Sequence, residues 1–381
     1  MESELRRKTA SVRIWIAGGG TGGHVYPGLA VVQALAAEGP VEILYVGGEG
    51  GVEERLVTRA GLRFVGVPAG GVHGLVPQQA ARNLAKLMQG WRAAYRLGRR
   101  ERPAALFATG GYASMPVALA AWALRAPILV YLPDVEPGLA VRFIARLAAR
   151  TAVTVEDSRV YFPSRKAVVT GYPVRAEFHG LDRAGGRASL GLAPDDPVLL
   201  VLGGSRGARS INRALSGVLE HVLELAQVVH VSGELDWPRV AERYEALPAV
   251  LKPRYHAFSY LHEKIGPALA AADLAVCRAG ASTLGELPFF GLPAVLVPYP
   301  HAWRYQRVNA GWLVGRGAAV HLDDERLAEE LLPTLRRLLS DHAALVEMAE
   351  RMRALARPDA AVRLASELLT LAQHGLEGGG R

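Results

Sequence analysis

A chain of 381 residues, half of them hydrophobic and a fifth charged, has a soluble globular balance and more length than one core usually supports, so two domains are expected. One cysteine, Cys277, excludes an internal disulfide and fits a reducing cytoplasm. The formal charge of +8 is uneven: residues 1–175 hold 22 Lys and Arg against 12 Asp and Glu, but no recognised nucleic-acid motif accompanies them, so nucleic acid is not expected as a partner.

The first apolar run, Val12–Ala17, is too brief for a signal-peptide core and reads as a strand. It leads into Gly18-Gly19-Gly20-Thr21-Gly22-Gly23-His24, and a helical pattern opens at Pro27. Small residues let the backbone fold close to a ligand. A loop feeding a helix N-terminus also presents free N–H groups and the positive end of the helix dipole, which favours phosphate. His24 adds a proton acceptor at that mouth. Gly18, Gly20 and Gly23 satisfy the dinucleotide pattern G-x-G-x-x-G. The acid that such a site needs after the second strand is poorly placed, because Val41–Val46 runs into Gly47-Gly48-Glu49 and only Glu49 could serve. No Gly-Lys-Ser/Thr follows, which excludes a Walker A loop. A plain strand-to-helix turn is the alternative.

Further strands are expected at Leu62–Val67, Ala104–Ala108, Ile128–Tyr131, Ala152–Val155 and Ala167–Val169, with helices between most of them. Continuous apolar strands alternating with helices indicate a parallel sheet covered on both faces. Arg82, Lys86, Arg92, Arg96, Arg99, Arg100 and Arg102 interleave with Leu84, Leu87, Met88, Trp91 and Tyr95 at helical spacing. Such a basic amphipathic helix suits an anionic membrane surface, or a domain helix with a solvated basic face. Met115–Leu132 is the most apolar window, but Arg125 and Pro127 interrupt it, so it reads as a buried helix followed by a buried strand.

Gly171-Tyr172-Pro173-Val174-Arg175 and the polar stretch to Asp196 break the alternation and mark a domain linker. Strands resume at Val198–Leu202, Val228–Val231, Tyr255–Phe258, Leu274–Cys277, Ala294–Val297 and Ala318–His321. Helices follow at Asp341–Ala356 and Ala360–His374, with a Gly-rich tail expected to be disordered. The expected fold class is α/β, with two doubly wound Rossmann-like domains, 1–175 and 176–357, whose strand C-termini face a shared cleft. The last segment, 358–381, is expected to pack back toward the first domain.

The second half has its own Gly-rich turn, Gly203-Gly204-Ser205-Arg206-Gly207-Ala208-Arg209, where Ser205 and backbone N–H groups could take a phosphate and Arg206 or Arg209 could add charge. In Cys277-Arg278-Ala279-Gly280-Ala281-Ser282-Thr283-Leu284-Gly285-Glu286, the acid could accept both hydroxyls of a ribose, although Thr283-x-x-Glu286 also reads as a capping box. Gln306 and Asn309 offer amides suited to sugar hydroxyls, or belong to a solvated helix face. There is no D-x-D and no metal-ligand spacing, so neither metal nor cofactor is expected. A leaving diphosphate would be neutralised by N–H groups, helix dipoles and arginine.

In their order and separations, GGGTGGH at 18–24, GGYAS at 110–114, PVR at 173–175, GGSRGAR at 203–209, CRAGASTLGE at 277–286 and GLPAVLVPYP at 291–300 resemble the MurG family of peptidoglycan glycosyltransferases, of GT-B fold. The resemblance runs along almost the whole chain. It implies an inverting transfer of N-acetylglucosamine from UDP-GlcNAc, the UDP-sugar donor, to the 4-hydroxyl of a polyprenyl-diphosphate-linked muramyl-pentapeptide at the inner face of the membrane. It further implies that Thr21, Gly22 and Gly23 line the donor phosphates and sugar, that His24 is the base or an acceptor-site residue, and that Tyr112 lies near the acceptor. Arg175 and Ser205 would touch the nucleotide, Ala281, Ser282, Thr283, Leu284, Gly285 and Glu286 the diphosphate and ribose, and Gln306 the donor sugar. The family's membrane patch maps onto residues 75–100 with Trp122, which implies a cytoplasmic protein peripheral on the inner membrane.

Two departures fall on sugar or acceptor recognition. Where the family commonly carries His-Glu-Gln-Asn, this chain reads Tyr131-Leu132-Pro133-Asp134, so an acid replaces the amide expected to hold the N-acetyl group, and Asp134 rivals His24 as base. The paired glutamines become Tyr305-Gln306, with Trp303 before them. The alternatives are a UDP-sugar transferase with another sugar or lipid acceptor, a UDP-sugar 2-epimerase and a non-catalytic sugar-nucleotide-binding protein.

Overall fold

The computed structural model describes residues 12–20, 22–70, 77–204, 207–301 and 304–378, so Thr21, Ser205, Arg206 and Trp303 lie outside the described residues. Two compact units result: one carries the chain up to Ala176 and again from Pro358, the other is Glu177–Arg357.

In the first unit the strands are β1 (Val12–Gly18), β2 (Val41–Gly48), β3 (Arg63–Val67), β4 (Ala105–Gly110), β5 (Ile128–Leu132), β6 (Arg150–Val153) and β7 (Ala167–Val169). Between them lie α1 (Gly22–Glu38), α2 (Val52–Arg59), α3 (Pro77–Glu101), α4 (Ser114–Ala123) and α5 (Leu139–Leu147). The strands form one parallel sheet in the order β3-β2-β1-β4-β5-β6-β7. Side chains alternate across it. Trp15, Leu44, Leu106 and Ile128 pack under α4 on one face, while Ile14, Ile16, Tyr45 and Phe107 fill the other beneath α1. The register of β1 on β4 slips between Ala17 and Gly18, at the point where the chain leaves the sheet for the first Gly-rich turn.

The second unit opens with α6 (Arg183–Leu190) and continues with β8 (Val198–Leu202), α7 (Arg209–Leu225), β9 (Gln227–Val231), α8 (Trp237–Glu245), β10 (Tyr255–Phe258), α9 (Ile265–Ala271) and β11 (Leu274–Cys277). It closes with α10 (Glu286–Phe290), β12 (Ala294–Leu296), α11 (Tyr305–Val314), β13 (Ala319–His321), α12 (Leu327–Ser340) and α13 (His342–Ala354). Its sheet is parallel, in the order β10-β9-β8-β11-β12-β13. Both sheets therefore reverse strand order once, between β1 and β4 and between β8 and β11. Ligands of doubly wound sheets bind beyond the strand C-termini at that reversal.

Three expectations change. The helix after the first Gly-rich turn begins at Gly22, so His24 lies in its first turn and Pro27 inside it, where proline withholds the N–H that would bond to the carbonyl four residues back. The polar stretch read as a linker contains α6, capped by Asp182, which accepts from the Gly185 N–H at 2.7 Å, and ended by Gly191 at φ 69°. The last helix, α14 (Ala360–Gly378), runs past His374, and Gly375 within it sits so close to the Ala104 carbonyl that a Cβ would lie 2.6 Å from its oxygen.

Candidate active site

At the reversal in the first unit, the turn after β1 meets the turn after β4. The Thr109 hydroxyl donates to the His24 carbonyl at 2.6 Å, and the Tyr45 hydroxyl donates to the Gly18 carbonyl at 2.9 Å. Gly111, at φ 79°, lies directly against Gly19, and Ser114 holds this second turn by donating to the Gly111 carbonyl at 2.7 Å. Tyr112 follows and is exposed.

One N–H of the expected phosphate cradle, that of Gly20, is bound by Glu53, which the sequence did not single out. Its buried carboxylate accepts from the Gly20 N–H at 3.1 Å and from the Gly48 N–H at 3.0 Å. A Cβ on Gly19 or Gly51 would come within 2.2 or 2.4 Å of the same group. An acid does lie four residues after Glu49, in the first turn of α2, but it is buried against the loop's own amides and offers nothing to a ribose. Glu49 itself is exposed. The available signal was an acid just inside a helix that follows Gly50-Gly51.

His24 is half-buried, with its ring 3.0 Å from where a Cβ on Gly110 would stand. Burial lowers the imidazole pKa below its ordinary value, while the carboxylates of Asp134 and Glu53 pull it back up. The structure therefore brings the two rival bases into one electrostatic group, in which His24 is neutral at neutral pH and able to accept a proton. Asp134 follows β5 and is half-buried. Tyr131, at the start of the departing tetrapeptide, is fully buried and bonds through its hydroxyl with Thr154 at 2.7 Å and the Gly171 carbonyl at 3.2 Å. It anchors β5 and has no path to a ligand. Arg175 stacks its guanidinium 4.7 Å from the Tyr26 ring centre, on the side of α1.

In the second unit, the turn at 203–209 leads into α7. A Cβ on Gly203 would fall 2.1 Å from the Ala208 nitrogen, so the turn is wound tightly enough to bar any side chain there. Arg209 pairs sideways with Asp236 at 3.1 Å. Asp236 also accepts from buried Asn212 at 2.9 Å; the Asn212 oxygen meets His230 Nε2 at 3.0 Å, and His230 Nδ1 meets the Tyr255 hydroxyl at 2.7 Å. Burial pushes His230 down to about 4, so the ring is neutral and links α7 to β9 and β10.

At the next turn, Arg278 is a hub. It donates to Ser210 at 2.7 Å, to the Val297 carbonyl at 3.2 Å and to Asp324. The capping box does not form. Ala281–Leu284 is a 3-10 turn, the Thr283 hydroxyl donates to the Gly280 carbonyl at 2.6 Å, and Glu286 opens α10. Ser282 and Glu286 are half-buried, whereas Thr283, Leu284 and Gly285 are buried. Cys277, beside Glu286, is pushed up to about 12 by burial and is no nucleophile. Gln306 accepts from the Tyr299 N–H at 2.8 Å with its oxygen. Asn309, read as a sugar ligand, is fully buried and donates to the Ala279 carbonyl at 3.2 Å, so it supports the turn from within.

Residues 14–153 match the glycosyltransferase family 28 N-terminal domain and residues 198–364 the glycosyltransferase family 28 C-terminal domain. The UDP-N-acetylglucosamine–N-acetylmuramyl-(pentapeptide) pyrophosphoryl-undecaprenol N-acetylglucosamine transferase of Roseiflexus sp. is 45% identical over 94% of this chain and 95% of its own. The protein of the same name from Bacillus subtilis is 34% identical, over 94% and 99%. The crystal structure of Acinetobacter baumannii MurG superposes with a TM-score of 0.72 at 25% identity, covering 94% of this chain and 99% of that one. Two parallel sheets with matching strand order, both family domains and these near-full-length relatives make the chain a member of glycosyltransferase family 28 and, within it, of the MurG family.

Proposed function

We propose that the chain transfers N-acetylglucosamine from UDP-GlcNAc to the 4-hydroxyl of a polyprenyl-diphosphate-linked N-acetylmuramyl-pentapeptide, with inversion at the anomeric carbon. The reading of substrates rests on near-full-length likeness to transferases of that name. The observation that carries the chemistry is His24 in the first turn of α1, its ring packed against Gly110, kept neutral by burial and within the field of the Asp134 and Glu53 carboxylates. Its imidazole takes the hydroxyl proton as the oxygen attacks the anomeric carbon and the bond to UDP breaks. Asp134 and Glu53 stabilise the imidazolium that forms. N–H groups of the turns at 203–209 and 280–285 meet the leaving diphosphate, with Glu286 on the ribose and Gln306 offering its amide to the sugar.

The first unit works on a membrane surface in this reading. Leu84 and Met88 on α3 and Trp122 on α4 are exposed large apolar side chains, and Arg82, Lys86 and Arg92 are exposed beside the first two. Apolar side chains rimmed by cations suit an anionic lipid interface. Among the described residues no helix is long and apolar enough to cross a membrane. Binding is peripheral, on the inner leaflet.

The test is incubation with labelled UDP-GlcNAc and the lipid-linked acceptor in vesicles. Acceptor lipid heavier by one N-acetylhexosamine, with UDP released only when that lipid is present, is the expected result. UDP release without acceptor, or epimerised sugar nucleotide, overturns the reading.

A further inference from the structure

In the second unit, one flank of α7 faces α8 across a cavity of about 500 Å³. Residues spaced three or four apart line both walls, with Arg209, Arg213 and Ser216 on α7 and Arg239 and Arg243 on α8. At 1.5 Å per residue, Ser216 stands about 10 Å along the helix axis from Arg209. The cavity therefore extends down the helices, away from the turn assigned above to the leaving diphosphate.

Four guanidinium groups share this cavity, and two of them have a structural use. At the near end Arg209 pairs with Asp236 at 3.1 Å, whose other oxygen accepts from Asn212 at 2.9 Å. At the far end Arg243 donates to the Ser216 carbonyl at 3.4 Å and to Glu220 at 3.1 Å. Arg213 and Arg239 lie between these pairs along the two helices. Among the described residues, no hydrogen bond or ion pair engages either of their guanidinium groups. Glu242, the remaining acid of the lining, is exposed and pairs with neither. Fold stability accounts for the outer two arginines and leaves the inner two unexplained.

Like charges gathered in one concavity repel each other and focus their field on whatever enters. A phosphate ester, with about −1.5 to −2 charges at neutral pH, offsets two cations at once. Guanidinium forks also match its oxygens in pairs. The cavity is large enough for a small organic molecule, and Val240 and Ala246 line it beside the charges, where a carbon body can lie.

We propose that the groove between α7 and α8 is a second anion site, which takes the phosphate of a small soluble phosphate ester between Arg213 and Arg239. It is independent of the transferase reading, because its test reads binding alone.

The test is an NMR titration of the full chain with glycerol 3-phosphate at constant ionic strength. The side-chain Nε–H and backbone amide resonances of Arg213 and Arg239 should shift together and saturate at millimolar probe. Arg213→Gln combined with Arg239→Gln should weaken the binding at least about ten-fold, through loss of charge-assisted hydrogen bonds. Arg336→Gln combined with Arg337→Gln, on α12, removes the same charge elsewhere and should leave affinity within about two-fold. All four arginines are exposed, so both double variants should keep the wild-type melting temperature within about 2 °C. Equal affinity in the two double variants, or shifts that follow ionic strength alone, overturns the proposal. A wild type without transfer activity defeats the function assigned above and leaves this titration as it is.

Discussion

Gly111 and Gly19 touch backbone to backbone: a Cβ on Gly111 would lie 2.2 Å from the Gly19 carbonyl oxygen. This contact joins the turns on either side of the strand-order reversal. Gly111→Ala must separate them and also place alanine at φ 79°. Gly61, at φ 72° with open space around its missing side chain, carries the backbone penalty alone. Gly61→Ala should therefore lower stability by about 1 kcal/mol and leave transfer unchanged. Gly111→Ala should lower kcat/KM about 100-fold through misplacement of the site. Thermal unfolding and steady-state kinetics on the two variants check the contrast.

In the proposed reaction His24 takes the proton and Asp134 stabilises the imidazolium, so their variants should differ in kind. His24→Ala should reduce kcat about 10²- to 10⁴-fold, the usual contribution of a general base. Asp134→Asn should cost less and shift the acid limb of the rate profile to lower pH, because the lost carboxylate was raising the His24 pKa. If Asp134→Asn abolishes turnover while His24→Ala keeps the profile, the assignment is reversed.

His230 predicts how stability responds to acid. Its folded pKa of about 4 lies below the ordinary 6.5, so the unfolded chain binds the proton more readily between those values. Stability is fully present above about pH 6.5, falls with pH through that window, and levels off below about 4. The lost contribution is roughly 3 kcal/mol by linkage. Urea titrations of the second unit's unfolding, repeated from pH 7 to 4, should show the fall, and His230→Gln should flatten this part of it. The variant is also less stable at pH 7, because Asn212 and Tyr255 lose a buried partner.

Leu84→Glu with Met88→Glu should abolish most cosedimentation with vesicles rich in anionic lipid, and Trp122→Glu should weaken it. All three side chains are exposed, so melting temperatures should stay within about 2 °C of the wild type. High salt should weaken binding of the wild type as well. Unchanged sedimentation of the charged variants would remove α3 from the membrane reading.

Central parallel strands were the most legible part of the chain, since they are continuous apolar runs. Val198–Leu202 and Leu274–Cys277, neighbours at the centre of the second sheet, match the observed strands end for end. Helix starts were harder, because Pro27 looks like a first-turn residue and two glycines hide α6. His24 and Asp134 were visible as chemistry, but their electrostatic coupling is a tertiary fact. Asn309 shows the opposite error: an amide in the right segment proved to be a buried strut. Glu53 was invisible for a geometric reason, since a carboxylate that folds back over two glycine turns leaves no fixed spacing to the amides it binds.

The last helix has a consequence for how the chain is made. Leu364, Ala365, Leu368 and Ala372 of α14 sit in the same core as Ile14, Ile16 and Phe107, although the whole of the second unit separates them in sequence. The two leucines alone contribute about 1.5–3 kcal/mol each by burial. The N-terminal sheet therefore emerges from the ribosome with part of this face, beside α1, still uncovered, and keeps it so until α14 is translated. A fragment ending at Ala176 leaves that part of the face exposed permanently, and loss of α14 strikes the unit whose sheet was synthesised before the second unit.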